Sequence, residues 1–227
     1  MRKTLVLIGF LFVMSNLQAQ NNLFLRFQGG PSLPLSDLAS KIYTVDECGG
    51  FAKTGLHRGV DIGYFFNENI GIGLMTSTNS HSVDTKTWGE KAFEPDIDSI
   101  VEVSSEKWKM NYLMGGIIFR YPINDKFQIN ARLFGGMLNA TSPEIEIYAL
   151  ELNHSQIVIE RESAKSSVFQ YTIASGVEYR LSEFIAFSLM ANYSSGKTEF
   201  EYLQGQGKDC NKNSVINISL GALFYFF

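Results

Sequence analysis

The chain has 227 residues, 45% of them hydrophobic and 13% aromatic, and a formal net charge of −4. This acidic balance argues against a nucleic-acid partner, because proteins that bind nucleic acid carry concentrated positive charge. Beyond the N-terminal segment, the sequence has no apolar run near the about 20 residues that a transmembrane helix needs. Helical membrane spans in the mature chain are therefore excluded.

The N-terminal segment has the pattern of an export signal. Arg2 and Lys3 precede an apolar run of about ten residues, and small and polar residues including Ala19 follow the run. The run is too short for a membrane anchor. The pattern predicts a signal peptide at residues 1–20 and one mature domain at residues 21–227.

The mature sequence contains segments in which apolar residues alternate with polar or small ones, the pattern of a β-strand with two different faces. In chain order these segments are 23–30, 59–66, 70–77, a fourth that ends near 121, 127–133, 169–179, 185–194 and 214–227.

The connections between these segments alternate between long polar stretches and tight turns at Asn67, Asn124 and Ser182. Short turns on one side of a membrane and long loops on the other are typical of bacterial outer-membrane barrels. The sequence therefore predicts an all-β fold, an eight-stranded antiparallel transmembrane up-and-down β-barrel. Its short turns are expected to be periplasmic and its long loops extracellular.

The last predicted strand carries a further motif. Its alternate positions are apolar, and it ends in two phenylalanines. The order Ser219, Gly221, Phe224 and Phe226 resembles the C-terminal signal by which outer-membrane barrels are recognised for insertion. The resemblance implies the barrel-assembly machinery as a partner during insertion.

These strands, turns and the terminal motif make the mature chain similar to the small outer-membrane barrels, the OmpA-transmembrane, OmpX and OmpW-like group. The resemblance implies a monomer in the bacterial outer membrane, in contact with lipid and lipopolysaccharide. It also implies a role in adhesion, envelope integrity, defence against host factors or passage of small molecules.

The placement of charge agrees with a barrel. The predicted outward face carries no charged residue within the membrane band, where Arg or Lys would cost about 2–4 kcal/mol at the midplane. The charged residues on the inward face are Arg26, Asp61, Arg120, Arg132, Glu178 and Arg180. We expect Arg26 to pair with Asp61 and Arg132 with Glu178. Because side chains can fill a barrel of this size, a salt-bridged plug is favoured over a selectivity filter.

Two stretches leave alternatives open. Trp108, Met110 and Tyr112 fall on the wrong parity for the fourth strand, which indicates either a bulge or a position above the membrane. Residues 144–152 and 156–162 are rich in β-forming residues. We interpret them as a hairpin that carries the fifth and sixth strands beyond the membrane.

The three histidines are His57, His81 and His154. Serines flank His81, and Ser155 follows His154, which are residue types used by lipid A deacylases and acyltransferases of this barrel size. Both groups are predicted to lie in loops, without a strand to hold the geometry of a site. The sequence therefore predicts no catalytic residue, no cofactor, no metal site and no enzyme.

The loops carry two further candidate groups. An acidic group could bind Ca²⁺ or bridge to lipopolysaccharide through divalent ions, but a solvated loop is the stronger interpretation. Four aromatic residues could contact a partner, with membrane-interface or loop packing as the alternative. The acidic residues are Glu94, Asp96 and Asp98, and the aromatic ones are Trp88, Trp108, Tyr148 and Tyr202.

Cys48 and Cys210 are the two cysteines, in a chain expected to pass through an oxidising compartment. They lie in the first and last long loops, which become neighbours if the first strand pairs with the last. The sequence predicts a disulfide between them, with two unpaired thiols as the alternative.

Three functions are compatible with these patterns. The first is a barrel with a filled lumen that displays loops for adhesion or as an accessory subunit of an envelope complex. The second is a narrow channel for small or apolar solutes, which the charged interior disfavours. The third is a lipid A-modifying enzyme.

Overall fold

The structure, a computed structural model, describes residues 23–42, 49–92, 101–151, 154–201 and 208–226. The strands are β1 Leu23–Leu35, β2 Gly55–Phe65, β3 Ile70–His81, β4 Val101–Ser105, β5 Trp108–Pro122, β6 Phe127–Thr141, β7 Ile145–Glu151, β8 His154–Arg161, β9 Lys165–Arg180, β10 Ile185–Glu201 and β11 Lys208–Phe226. Two short helices, α1 Ser36–Ala39 and α2 Thr85–Ala92, lie in the first two long loops.

Eight of the strands form a closed antiparallel barrel in the order β1-β11-β10-β9-β6-β5-β3-β2. The barrel closes because β1 pairs with β2 on one side and with β11 on the other; Arg26 lies opposite Asp61 and Leu223. This confirms the predicted fold, including the pairing of the first strand with the last.

The alternation in the sequence sets the two faces of the wall. Outward apolar side chains remain exposed on the isolated barrel, for example Ile72 at 49%, Leu133 at 53% and Leu220 at 70%. Their inward neighbours along the strands are buried. An apolar outer band of this kind needs lipid around it. Within the described ranges, the helices are too short or too polar to cross a membrane.

The three tight turns share one construction. The side-chain oxygens of Asn67, Asn124 and Ser182 accept hydrogen bonds from the backbone N–H groups two and three residues further on, at 2.8–3.3 Å. A side chain that bonds its own backbone in this way stabilises a short turn between strands. The predicted turns are therefore confirmed, together with their local cause.

The strands extend beyond the predicted segments at the end opposite the tight turns. β3 continues to His81 instead of ending at position 77, and β10 pairs with β11 as far as Glu201 opposite Lys208. The added residues are largely polar on both faces. Hydrophobic alternation marks only the part of a strand that crosses lipid, so it could not locate these ends.

The structure excludes one of the two alternatives for the upper half of β5. Its pairing with β3 and with β6 is regular from Lys109 to Ile118, so no bulge re-aims the strand. Trp108, Met110 and Tyr112 point into the barrel and are 5%, 0% and 3% exposed. Their parity looked wrong because apolar and aromatic side chains, as well as polar ones, face the upper lumen.

The third long loop also differs from its interpretation. β7 and β8 form the predicted hairpin, but the hairpin belongs to a separate three-stranded sheet of order β4-β7-β8. It does not prolong the barrel strands β6 and β9. β4, from the second long loop, pairs with β7. The pairing is extended by the backbone N–H of Glu106, which donates to the carbonyl of Glu144 at 2.9 Å.

The seam between β1 and β11 brings the first and last loops together. The Asp37 carboxylate of α1 accepts the backbone N–H of Lys212 at 2.7 Å, and Ser36 forms a β-bridge with Asn213. Cys210 lies on β11, opposite Glu199. Cys48 lies outside the described residues, so the disulfide stays a prediction.

Candidate functional site

The periplasmic end of the lumen has an apolar floor. Phe24, Phe65 and Tyr225 are at most 2% exposed, and the Phe24 ring centroid lies 5.6 Å from that of Phe65 and 6.2 Å from that of Tyr225. Glycine makes room for this floor, because a Cβ added at Gly63 would lie 2.5 Å from the Phe24 ring. These contacts leave the floor tightly packed.

Above the floor lies a charge cluster made of Arg26, Asp61, Arg132 and Glu178, which are at most 4% exposed. Arg26 donates to Glu178, and Arg132 donates to Asp61. Arg26 Nη1 also lies 3.9 Å from Asp61 Oδ2, and Arg132 Nη2 lies 4.0 Å from Glu178 Oε1. Each cation therefore faces both anions, and the formal charges sum to zero.

Two glutamines and a tyrosine complete the hydrogen bonding of the two carboxylates. Gln28 Nε2 donates to Asp61 Oδ1 at 3.2 Å, and Gln128 Nε2 donates to Glu178 Oε2 at 2.5 Å. The Tyr225 hydroxyl donates to the same Glu178 oxygen at 3.3 Å. Buried charges are tolerated when they are paired and hydrogen-bonded. The contacts pair all four charges, but Arg26 Nε, Arg26 Nη1 and Arg132 Nη2 are buried without a hydrogen-bond partner among the described residues.

The other two inward arginines lie at the periplasmic end of the wall. Arg120 donates from Nε to the carbonyl of Glu68 at 3.0 Å, and its guanidinium lies 3.9 Å from the Phe65 ring centroid. The Arg180 guanidinium lies 5.6 Å from the ring centroid of Tyr225. Both arginines contact aromatic rings of the floor rather than the carboxylates of the charge cluster.

The upper lumen is filled by a chain of polar side chains. His57 Nδ1 lies 2.7 Å from Asn79 Oδ1, and Asn79 Nδ2 donates to Asn217 Oδ1 at 3.1 Å and to the Tyr112 hydroxyl at 3.4 Å. His57 is 1% exposed and Asn79 is 0% exposed. The chain links β2, β3, β5 and β11 across the lumen, so it helps to fix the barrel cross-section.

His81 is not in a loop, contrary to expectation, but is the last residue of β3. Its Nδ1 lies 3.0 Å from the carbonyl oxygen of Lys53, so Nδ1 carries the proton and Nε2 can accept from Ser32 Oγ at 3.3 Å. A serine, a histidine and an orienting acceptor are the parts of a nucleophilic site. Ser32 and His81 are 0% exposed, however, so the arrangement has no access for a substrate.

A cap formed by the first two long loops closes the extracellular end. Lys53 donates its backbone N–H to Ser82, and Asp84 donates its own to Phe51, both at 2.8 Å. The cap core contains Leu38, Phe51, Val83 and Trp88, all at most 7% exposed. Phe51 adopts a left-handed backbone with φ of 48°, which the surrounding packing must hold in place.

The cap is joined to the barrel wall through Trp108. Its indole Nε1 donates to the carbonyl of Gly50 at 2.9 Å, and its ring centroid lies 5.6 Å from that of Phe200 on β10. Trp88 and Trp108 are therefore packing residues of the cap rather than exposed contact residues. Tyr148 lies on β7 with its hydroxyl 2.5 Å from Glu146 Oε2.

Asp84 holds the two loops of the cap together and was missed in the sequence. It accepts from Lys41 at 2.7 Å, from Lys53 at 3.3 Å and from Thr87 at 3.0 Å. The hydrogen bond from Lys41 and the other donors hold the pKa of this carboxyl well below its usual range. An aspartate placed directly before a helix is a capping signal that could have drawn attention to it.

We expect Asp84→Asn to loosen the cap by roughly 1 kcal/mol, because the lysines are half-exposed and solvent screens the pairs. The ionised form stabilises the cap at neutral pH, and this contribution is lost below the ordinary Asp pKa of about 3.9, as pH falls toward the lowered pKa. Hydrogen exchange of the amides of Lys53 and Asp84 measures the effect. Asp125→Asn in a periplasmic turn is the control, and equal exchange in both variants would contradict the role of Asp84.

Some of the remaining candidate residues lie in the barrel wall or in a loop, and others lie outside the described residues. Ser219 is buried and donates to Gln28 at 3.2 Å, while Phe224 and Phe226 point outward at 38% and 46% exposure. His154 lies in the third long loop, as expected, where it is the first residue of β8. Glu94, Asp96, Asp98 and Tyr202 lie outside the described residues.

A closed barrel with an apolar outer face and a filled, largely polar lumen defines an integral outer-membrane protein. The family described as outer membrane protein beta-barrel domain matches residues 4–224, and the chain belongs to this family. No curated protein sequence matches the chain.

Solved structures with a similar fold are small outer-membrane proteins. Neisserial surface protein A is 10% identical, with 90% of this chain and 97% of that chain covered and a TM-score of 0.52. Ail, the attachment invasion locus protein of Yersinia pestis, is 14% identical, with 91% and 100% covered and a TM-score of 0.47. OprG from Pseudomonas aeruginosa is 14% identical, with 90% and 97% covered and a TM-score of 0.45.

Proposed function

We propose that the protein is a sealed outer-membrane barrel that displays its extracellular loops for adhesion or as an accessory subunit of an envelope complex. The observation that supports this most is the filling of the lumen at successive levels. The apolar floor, the charge cluster, the polar chain around Asn79 and the cap each block a path along the barrel axis.

The charge cluster supports a structural role for the interior charges. A selectivity filter needs charge of one sign that faces an open path. Here two arginines are neutralised by two carboxylates at 0–4% exposure. The interior therefore supplies rigidity, and the loops supply the surface that a partner can reach.

The separate sheet β4-β7-β8 is the part of the described loops best suited to display. It is built from the second and third long loops and is distinct from the barrel wall. A sheet holds its outward residues in fixed positions, which lowers the entropy cost of binding a partner.

The test replaces residues 145–161 with a short Gly-Asn turn. We expect the variant to reach the outer membrane as a heat-modifiable band and to lose crosslinked partners that the intact protein captures on living cells. Lys86→Ala/Glu90→Ala, at two exposed positions of α2 in another loop, provides the comparison. Capture of the same partners at the same yield after removal of the sheet would overturn its role.

The sealed lumen predicts little or no open-channel conductance. In planar bilayers we expect the wild-type protein to give no stable current steps, because the charge cluster and the cap occupy the axis. A refolded porin in the same bilayers is the positive control. A large, steady wild-type conductance would contradict the plug and favour the channel hypothesis.

A narrow channel is the second candidate, supported by polar atoms in the lumen that have no partner. Among the described residues, Asn130 Nδ2, Ser188 Oγ and Asn192 Nδ2 are buried without a hydrogen bond. Buried polar groups of this kind are usually satisfied by ordered water. A wet lumen would let small solutes pass if the cap opened.

A lipid A-modifying activity is the least supported function. Ser32 and His81 are both buried, and we expect neither residue to act as a catalytic group. The mass spectrum of lipid A from cells with and without the protein is expected to be unchanged. A shift in acyl-chain number that depends on His81 would overturn this expectation.

We also propose the disulfide between Cys48 and Cys210. The contacts of α1 with β11 support it, because they bring the loop that contains Cys48 beside the strand that contains Cys210. Closing a loop of about 160 residues could add up to roughly 5 kcal/mol to stability on the chain-entropy model. Peptide mapping without reductant should recover the linked pair, and free labelling of both thiols by iodoacetamide would exclude it.

A further inference from the structure

His81 lies where the cap joins the barrel, and three elements enclose its imidazole ring. Its Nδ1 donates to the carbonyl of Lys53 in the cap at 3.0 Å, and its Nε2 accepts from Ser32 Oγ on β1 at 3.3 Å. The chain enters β2 directly beside the ring, because a Cβ added at Gly55 would lie 2.7 Å from Nδ1. His81 is 0% exposed. The closed cap therefore fits the neutral, unhydrated form of this histidine.

The contact between His81 and Lys53 is part of the hydrogen bonding that closes the cap. The Lys53 backbone N–H donates to the carbonyl of Ser82, the residue after His81, at 2.8 Å. Movement of Lys53 away from β3 would break both contacts together. The left-handed backbone of Phe51 would relax in the same movement, which lowers the free energy needed to open the cap.

The charged groups around His81 do not favour its protonation. The nearest carboxylate along the described chain, that of Asp84, accepts from Lys41 at 2.7 Å and from Lys53 at 3.3 Å, so two ammonium groups already neutralise it. The other charged or titratable side chains at the described extracellular ends of the flanking elements are Asp37 on α1, His57 and Arg58 on β2, and Lys109 on β5. A proton on the imidazole would add positive charge where positive charge already prevails.

Both buried histidines of the upper lumen take up a proton more readily in water than in the closed barrel. Burial lowers the pKa of His81 below its ordinary value of 6.5, and the hydrogen bond to the Lys53 carbonyl offsets this in part. Burial also lowers the pKa of His57, whose Nε2 is buried without a partner among the described residues. Both histidines lie above the apolar band, since their outward neighbours Arg58 and Ser80 are polar.

We propose that His81 is an acid-sensitive latch, whose protonation releases the cap and opens the upper lumen to the external medium. An imidazolium carries a proton on both nitrogens, so Nε2 can no longer accept from Ser32. The buried charge also needs water, which the closed cap excludes. Lifting the segment that contains Lys53 admits this water. His57 then becomes hydrated and takes up a second proton, which favours the open state further.

The open state is a cup rather than a channel. The charge cluster and the apolar floor lie below both histidines and stay in place when the cap lifts. Acid therefore exposes the polar side chains of the upper lumen while the periplasmic end remains closed. This response does not depend on what the extracellular loops bind.

The direction of the pH dependence follows from the lowered pKa of His81. The closed cap keeps its full stability above about pH 6.5, the ordinary pKa that the histidine regains on opening, and loses stability as pH falls toward the lowered pKa. Between about pH 7.5 and about pH 5, one such histidine raises the opening equilibrium by up to about 30-fold. The ion pairs of Asp84 stay intact in this range, because the pKa of that carboxyl lies well below its usual range.

The two tryptophans of the chain report the state of the cap without a label. Trp88 is 3% exposed in the cap core, and Trp108, which is 5% exposed, donates to the carbonyl of Gly50. Acrylamide quenching, the emission maximum and amide exchange at Lys53 are measured in phosphatidylcholine vesicles from about pH 7.5 to about pH 5.

The comparison includes the wild type, His81→Gln and the matched control His154→Gln, which removes a histidine from the third long loop. A heat-modifiable band establishes that each protein is folded. His81→Asn is a second neutral replacement for use where His81→Gln does not fold.

We expect the wild-type tryptophans to become accessible to acrylamide below about pH 6.5, with emission at longer wavelength, and to return to the closed state at about pH 7.5. Exchange of the Lys53 amide should quicken by up to about 30-fold after correction for the intrinsic rate. His81→Gln should remain closed across the range, because an amide does not take up the proton. His154→Gln should respond as the wild type does.

Four results would overturn the proposal. Constant quenching of the wild type across the range would exclude the latch, whatever the variants show. An unchanged acid response in a folded His81 variant would assign the response to another group, and its loss in His154→Gln would place it in the third long loop. Steady wild-type current in planar bilayers at about pH 5 would show that acid also displaces the charge cluster, so that the open state is not a cup.

Discussion

Replacement of Glu178 by alanine is expected to lower the free energy of unfolding of the barrel by about 3–5 kcal/mol. The glutamate is 1% exposed and faces both Arg26 and Arg132. Its removal leaves two buried guanidinium groups with Asp61 as their remaining carboxylate in the charge cluster. A buried charge without its partner retains the cost of desolvation and loses the attraction that offset it.

The measurement is the unfolding midpoint in guanidinium chloride of protein refolded into vesicles. Glu90→Ala is the control, since Glu90 is a surface residue 63% exposed and 4.0 Å from Lys86. It should change stability by no more than about 0.5 kcal/mol. An unchanged midpoint in Glu178→Ala would reject the pairing.

A double variant separates the lost ion pair from lost packing. Arg26→Met/Glu178→Met removes one charge of each sign and keeps apolar volume in the lumen. We expect it to be more stable than Glu178→Ala, because replacing a buried pair by packed apolar groups is often neutral or stabilising. A double variant less stable than the single one would show that packing rather than charge dominates at this position.

Phe224→Ala/Phe226→Ala is expected to block insertion into the outer membrane while export continues. Both side chains point outward, so they contribute little to the packed lumen. They also occupy the aromatic positions of the proposed insertion signal. Fractionation should find the variant in the periplasm, without a heat-modifiable band. We expect the same result when Phe226 and Phe227 are deleted.

Leu220→Ala is the matched control, because Leu220 is 70% exposed on the same face of β11 but stands outside the motif. It should insert normally. The purified Phe224/Phe226 variant should still refold in vesicles, which would locate the defect in recognition rather than in the fold. Normal recovery of the variant from the outer membrane of cells would reject the signal.

Much of the barrel could be predicted from the sequence because a membrane imposes a strict alternation on every strand. A residue that faces lipid must be apolar, so parity alone placed Arg26, Asp61 and Glu178 inside the wall. The tight turns could also be predicted from the sequence, because the side chains of Asn67 and Asn124 accept hydrogen bonds from nearby backbone N–H groups. The pairing of the first strand with the last followed from the prediction of a closed barrel.

The pairing inside the lumen depended on tertiary structure. Neighbouring strands suggested Arg26 with Asp61, but the shortest contacts run across the lumen, from Arg26 to Glu178 and from Arg132 to Asp61. Side chains from opposite walls meet there because the barrel is narrow. Strand order in the sequence gives the neighbours along the wall and cannot give the distances across it.

The sequence by itself determined the class of fold, the membrane-facing surface and the charged residues that line the lower lumen, because each follows from a period of two along one strand. Tertiary structure alone decided the cap, the separate sheet β4-β7-β8 and the enclosed pair of Ser32 and His81. These features join residues from different loops or strands through packing and hydrogen bonds. Such contacts leave no periodic trace in the sequence, because lipid imposes no constraint above the membrane.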